Sequence, residues 1–212
     1  WFFYSVNDKK VGHVSLQKEY CYANPPHYKF TIHLTFKSQE KKGSVFYIKS
    51  SAFTKTNKYY TPIYISSNSN IHKDLNYNVF ADRKGNLISK NNKKNIIAVI
   101  TDKMLIDQVM IYFVESLPFA DKKNNKFSVL SSYLDLDETA AIFHNGKRYT
   151  WVQKKKVSLE QFLILRVVGR SLYKQYFWLN KNRKVVKYRT SYGIAFFRTT
   201  KENALAFLKK KK

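Results

Sequence analysis

Between His27 and Lys37 the chain reads HYKFTIHLTFK, with Tyr28, Phe30, Ile32, Leu34 and Phe36 on one parity and Lys29, Thr31, His33, Thr35 and Lys37 on the other. A period of two puts successive side chains on opposite faces of an extended backbone, so this segment reads as a half-buried strand. The aromatic row then needs a cover. Either a packed core or a ligand lies against it, and the fold must supply a concave or layered surface for that purpose.

Similar strand signals recur along the chain. WFFYSV and VGHVSLQKEY are separated by a turn at Asn7 and Asp8, and the NPP break at 24–26 precedes the alternating strand. GSVFYIKSSAF follows a polar SQEKKG connector, and YYTPIYISS, LNYNVFA and NIIAVIT follow in turn. Pro62 confines its segment to a sheet edge or a strand end, and Asp82 closes a turn in DRKGN. In the second half, Asn145-Gly146 within HNGK is a strong hairpin signal and places His144 in a surface turn. SLEQFLILRVVG and YKQYFWLNKNRKVVKYRTSYGIAFFR supply further strands.

One segment has a different period. In TDKMLIDQVMIYFVESLP, Leu105, Ile106, Val109, Met110 and Phe113 recur at helical spacing, with Thr101 or Asp102 to cap the start and Pro118 to stop the end. A long helix over 102–116 is expected. Thr199 and Glu202 stand at capping-box spacing before a short final helix, and residues 207–212 are expected to form a disordered tail. The chain is thus read as one domain, residues 1–212, of α+β class and mainly β. Roughly ten to twelve antiparallel strands would form a large curved sheet or half-open β-barrel around one long helix.

The formal net charge is +25, from 39 basic and 14 acidic residues, which suggests a phosphate-rich partner or an anionic membrane surface. Only seven of the basic residues are Arg, the side chain best suited to bidentate phosphate contacts, and a lysine excess also follows from an A/T-rich coding bias. In the opening strand, Lys29 and Lys37 lie opposite the aromatic row, whereas a base-stacking platform needs rings and cations on one face. The exception is TWVQKKK, where Trp151 adjoins Lys154, Lys155 and Lys156. These three lysines are the candidate contacts for an anionic headgroup or a phosphate. No apolar run approaches the about 18 residues of a membrane-spanning helix.

Catalytic signatures are absent from the sequence. His13, His27, His33, His72 and His144 have no metal-ligand spacing, and Cys21 is the sole cysteine, so it forms no internal disulfide. Asp135, Asp137 and Glu138 make the one acidic cluster, read as a charge partner for nearby lysines. No P-loop, nucleophile elbow or dinucleotide turn occurs, and neither enzyme activity nor a cofactor or metal is expected.

WFFYSVNDKKVG, FADRKGNL, TDKMLIDQVMIYFVESLP leading into FSVLSSYLD, and YFWLNKNRKVVKYRT occur in an order that resembles a bacterial family of cell-envelope proteins related to the lipoprotein-localisation factors. The resemblance implies an exported, periplasmic protein whose half-open barrel and covering helix shield an apolar concavity. A start at Trp1 fits the expectation that an export signal has been removed. The expected function is that of a non-enzymatic envelope protein binding a lipid or other hydrophobic ligand, with membrane contact and little scope for nucleic acid. Phe30, Ile32, Leu34, Phe36, Phe46, Ile48, Met110, Phe113 and Trp178 are the candidate lining. Two alternatives stand beside it: a basic nucleic-acid-binding module, and an interaction protein with a filled core.

Overall fold

The computed structural model describes residues 1–39, 45–57, 60–70, 76–89, 96–101, 104–117, 125–130, 136–152, 154–168 and 170–209. Among them lie fifteen strands: β1 (Phe2–Val6), β2 (Lys9–Cys21), β3 (His27–Gln39), β4 (Val45–Thr56), β5 (Pro62–Ser69), β6 (Tyr77–Ala81), β7 (Asn86–Ser89), β8 (Ile96–Val99), β9 (Met104–Ile106), β10 (Asn125–Leu130), β11 (Leu136–Val152), β12 (Lys155–Val168), β13 (Ser171–Leu179), β14 (Val185–Thr190) and β15 (Ile194–Arg198). They form one sheet, in the order β8-β7-β6-β5-β4-β3-β2-β1-β15-β14-β13-β12-β11-β10-β9.

Apart from the edge strand β9, both arms of this sheet are antiparallel meanders, and they meet where β1 pairs antiparallel with β15. Local turn chemistry sets most connections. Asn7 and Asp8 adopt φ of 48° and 63°, the left-handed pair that a two-residue hairpin requires. The Asp82 carboxylate accepts hydrogen bonds from the Asn86 backbone N–H at 2.8 Å, the Asn86 side-chain amide at 2.9 Å and the Lys84 backbone N–H at 2.8 Å, and these bonds, those from Asn86 foremost, hold it below the usual carboxylate range. Pro62 opens β5, where its missing N–H leaves no gap inside a ladder.

The expected long helix is corrected by the structure. Met104, Leu105 and Ile106 form β9, parallel to β10; a 3-10 turn covers Asp107–Val109; and α1 spans only Met110–Ser116. All three residues of β9 are buried, so both faces of this strand are covered. Helix α1 begins at Val109 without a side-chain cap; Thr101 lies upstream of β9 and Asp102 outside the described residues. At the other end Leu117 takes φ −75°, ψ 140°, the extended geometry imposed on a residue preceding proline.

Two further expectations change. Strand β11 runs straight through Asn145-Gly146, which forms a bulge in its pairing with β12, and the reversal comes after Val152. Gly146 adopts φ 67° there, so its left-handed freedom serves a bulge rather than a hairpin loop. His144 is accordingly no turn residue: its ring is partly buried, stacks on Phe162 at 4.7 Å and meets the Glu160 carboxylate at 2.9 Å. At the C-terminus α2 spans Lys201–Lys209, with Thr200 rather than Thr199 receiving the Asn203 N–H, and Phe207 packs edge-on against Phe3 at 5.7 Å. The expected tail from 207 is therefore helix up to Lys209, and residues 210–212 lie outside the described residues.

The sheet curls around the segment between β9 and α1. That segment touches β3, β4 and β5 of one arm and β13 and β14 of the other. Its buried side chains, Met104 to Ile106, Val109 to Ile111 and Val114, join one apolar core with Phe30, Ile65, Val79, Phe127, Ile164 and Phe177. Each large side chain fully removed from water there contributes about 1.5–3 kcal/mol. Helix α2 lies on the opposite, convex face.

Candidate functional site

Cross-strand pairing aligns one row of side chains along the concave face. Phe36 stands opposite Gly12, Gly12 opposite Tyr4, and the register continues through Phe196, Tyr188, Phe177 and Phe162 to His144. Adjacent rings touch: Tyr4 lies 5.4 Å from Phe36 and 5.5 Å from Phe196, and Tyr188 lies 5.2 Å from Phe196 and 4.8 Å from Phe177. Gly12 makes this belt continuous. A Cβ at that position would fall 2.1 Å from the Thr35 carbonyl oxygen and 2.5 Å from the Phe36 side chain.

The belt is covered unevenly. Phe162, Phe177 and Tyr188 are buried, while Tyr4, Phe36 and Phe196 are half-buried, as are Leu16, Ile32 and Leu34 beside them. The plug of α1 explains the difference, because it covers one end of the concave face: Phe30, fully buried, meets Tyr112 of α1 at 5.2 Å. Beyond the plug the apolar wall keeps residual exposure.

Charged groups fasten the plug at both ends. Arg166 of β12 pairs with Asp107 at the start of the 3-10 turn. At the far end, Glu115 accepts from the Val185 backbone N–H at 2.9 Å and from Arg198 Nη2 at 2.5 Å, and Lys184 Nζ stands 3.3 Å away. Arg183 donates to the Leu117 carbonyl just past the helix. The carboxylate thus ties the end of α1 to β14 and β15.

A cleft of about 430 Å³ opens beside this latch, lined by Lys18, Tyr60, Tyr112, Glu115, Ser116 and Lys184. Lys18 donates to the Tyr60 hydroxyl at 2.8 Å and holds its ammonium 4.1 Å from the centre of the Tyr28 ring. It belongs to the concave parity of Val14 and Leu16, unlike Lys29 and Lys37 of β3, which lie opposite the aromatic row. Burial, aided by the Glu115 charge, pushes the Tyr112 phenol up to about 12. A phenol whose folded pKa exceeds its unfolded value stabilises the fold below pH ~10, and that contribution disappears as pH rises towards 12. Burial also raises Tyr4, Tyr173 and, further, Tyr188, so the same sign applies to each. Alkaline denaturation followed by circular dichroism is expected to show stability falling through this window, less steeply in Tyr112→Phe.

The residues anticipated from sequence divide into groups. Phe30, Met110 and Phe113 belong to the packed end; Ile32, Leu34 and Phe36 belong to the half-exposed wall. Phe46 and Ile48 pair by backbone with Ser38 and Phe36, and their side chains lie outside the described residues. Trp178 requires correction. It pairs with Gln161 and Lys187, off the parity of Phe177, and sits on the convex face with the Lys187 ammonium 5.0 Å from its ring. Phe177 and Leu179 take the concave positions instead. Lys154, Lys155 and Lys156 are exposed at the β11–β12 reversal and do not line the cleft. The side chains of Asp135, Asp137 and Glu138 lie outside the described residues. Among the described residues no group of three or more His, Cys, Asp or Glu is placed to hold a metal ion.

No family model and no curated protein matches the chain. Among solved structures, a β-barrel-like protein of the domain of unknown function DUF1849 from Brucella abortus superposes with a TM-score of 0.59 at 7% identity, over 92% of each chain. The fold is barrel-like. A DUF1089 family protein from Pseudomonas aeruginosa gives a TM-score of 0.41 at 10% identity, covering 84% of this chain and 88% of that one. The expected curved, mainly antiparallel sheet agrees with the first likeness, and the long helix does not form part of it. The first likeness carries no link to the lipoprotein-localisation factors, so what is established is the coarser, barrel-like architecture.

Proposed function

We propose that the protein is a non-enzymatic binder of an apolar, acyl-like molecule, held against the concave wall formed by Tyr4, Leu16, Ile32, Leu34, Phe36 and Phe196. The observation that carries this reading is the incomplete burial of those six side chains on the inward face of a curved sheet, beyond the cover of α1. An apolar wall suits a flexible hydrocarbon chain, for which shape and dryness matter more than directed hydrogen bonds. Gly12 supports the same reading: lacking a Cβ, it lets the Tyr4 and Phe36 rings meet in a continuous apolar surface.

The test uses the full chain with N-phenyl-1-naphthylamine as a fluorescent apolar probe and palmitate as competitor. Saturable probe binding displaced by palmitate is expected, together with a retained fatty acid in native mass spectra. Leu34→Trp, which fills the wall without disturbing the end covered by α1, is expected to weaken probe binding by about tenfold or more, the order expected when a snug apolar site loses its space. Absence of both probe binding and retained acyl ligand in the folded protein returns the interior to a filled core and overturns the proposal.

A further inference from the structure

At the rim where β1 begins and β15 ends, the central strands are short and their flanks overhang. Strand β2 continues past Val14, its last residue paired with β1, and β11 and β12 run past Ile142 and Glu160, their last residues paired with β10 and β13. Beyond those points the β11–β12 ribbon pairs only with itself among the described residues. Such an isolated ribbon is marginal in water without support. Lys187 supplies that support from the convex side, donating to the Thr150 hydroxyl at 3.0 Å and to the Trp151 carbonyl at 3.1 Å.

The brace leaves the other face of the ribbon bare. Tyr149 is 74% exposed and Trp151 62%, on one parity with Lys156, whose ammonium stands 5.2 Å from the Tyr149 ring. From Lys147 to Ser158 the ribbon holds five basic residues and no acidic one. Across the rim, the β2–β3 reversal exposes Tyr22 at 90% and Tyr20 at 44%, with their rings in contact at 4.7 Å.

We infer that this rim docks on an anionic lipid bilayer, the ribbon inserting Trp151 and Tyr149 at headgroup depth while its lysines neutralise lipid phosphates. Tyrosine and tryptophan are the side chains that settle at a membrane interface, and adjacent lysines add attraction to anionic lipid. Charge complementarity selects this occupant: the ribbon is uniformly cationic, four of its five cations are Lys, and diffuse attraction to a charged plane needs no bidentate geometry. Two aromatic tips on one rim suit a plane better than a strand of nucleic acid, for which the Glu115 carboxylate at the intervening cleft is a poor lining. The inference stands on surface groups and does not depend on whether the concavity holds a ligand.

The experiment measures partition of the full chain onto phosphatidylcholine vesicles with and without phosphatidylglycerol at low salt, by sedimentation and by tryptophan emission. Binding is expected only with phosphatidylglycerol, with a blue shift. Near an anionic surface each lysine contributes roughly fivefold, so Lys155→Gln with Lys156→Gln is expected to lower partition about thirtyfold. Lys9→Gln with Arg170→Gln, exposed on the opposite rim, is expected to lower it less than about threefold, by loss of long-range charge alone. Trp151→Phe retains binding and loses most of the blue shift. The proposal is overturned by no binding to phosphatidylglycerol vesicles, by equal losses in the two double variants, or by an undiminished blue shift in Trp151→Phe. Binding of an oligothymidylate with Trp151 quenching and no vesicle binding replaces it with a nucleic-acid surface.

Discussion

Phe30→Ala is expected to lower the free energy of unfolding by about 4 kcal/mol, whereas Phe36→Ala, on the same face of the same strand, is expected to cost less than about 1.5 kcal/mol. The side chains are chemically identical and share β3, so propensity and parity do not separate them. Their covers do. Phe30 is fully buried beneath α1, touching Tyr28, Tyr60 and Tyr112, and its truncation leaves a cavity that the latched plug is held from filling. Phe36 lies on the wall beyond the plug and is only partly buried, so truncating its ring gives up less area removed from water. At roughly 2–4 °C per kcal/mol for a chain of this size, Phe30→Ala corresponds to a fall in Tm of about 8–16 °C. Urea titration and calorimetry check the pair. Equal costs would show that both ends of the concave face are packed alike, removing the basis for a binding wall. The apolar-probe assay supplies the reciprocal contrast, with Phe36→Ala expected to alter probe affinity and Phe30→Ala to act mainly on stability.

The face of β3 was legible because its alternation is uninterrupted, and period two fixes parity without any tertiary information. The face of β13 was not. Tyr176, Phe177, Trp178 and Leu179 are four apolar residues in succession, so either parity fits a core, and only pairing with Phe162 and Tyr188 assigns Phe177 to the concave side. Met104-Leu105-Ile106 posed the same ambiguity in a different form. A short apolar run fits a buried helix or a strand buried on both faces, and partnership with β10 decides. Strands β7 and β9, of four and three residues, are too short for a period to emerge, which is why the sheet has more strands than the pattern suggested. Asn145-Gly146 carried a sound conformational signal, a left-handed glycine, whose use as a bulge depended on the long pairing of β11 with β12. Lys18 left a trace in sequence, since it continues the parity of Val14 and Leu16, but a lysine in an apolar row reads as the row ending.

Glu115 left a trace as well: it lies four residues after the buried Ile111, on the inward stripe of α1 rather than its wet face. Glu115→Ala is expected to destabilise the protein by about 3 kcal/mol, corresponding to a fall in Tm of roughly 6–12 °C. The Glu115 side chain is 7% exposed, and its loss removes the acceptor of the Val185 N–H and one acceptor of the Arg198 guanidinium, whose Nε still donates to the Val185 carbonyl at 2.6 Å. The value sits at the low end for a broken buried ion pair because Arg198 is itself 36% exposed and recovers some hydration. Lys184, at 57%, contributes least. Two double-mutant cycles separate these partners: Glu115 with Arg198 is expected to couple by more than about 1 kcal/mol, and Glu115 with Lys184 by less than about 0.5 kcal/mol. Glu115→Gln keeps an acceptor for the Val185 N–H while losing the charge, so its cost should fall between wild type and alanine. Release of the latch also predicts a change at the apolar wall, since the end of α1 then moves without its tie to β14 and β15. Hydrogen exchange in α1 should accelerate in Glu115→Ala by more than in Lys184→Ala, and probe affinity should change in the same order. If the alanine variant is as stable as wild type, α1 is retained by packing alone, and the carboxylate is a consequence of the plug's position rather than a cause of it.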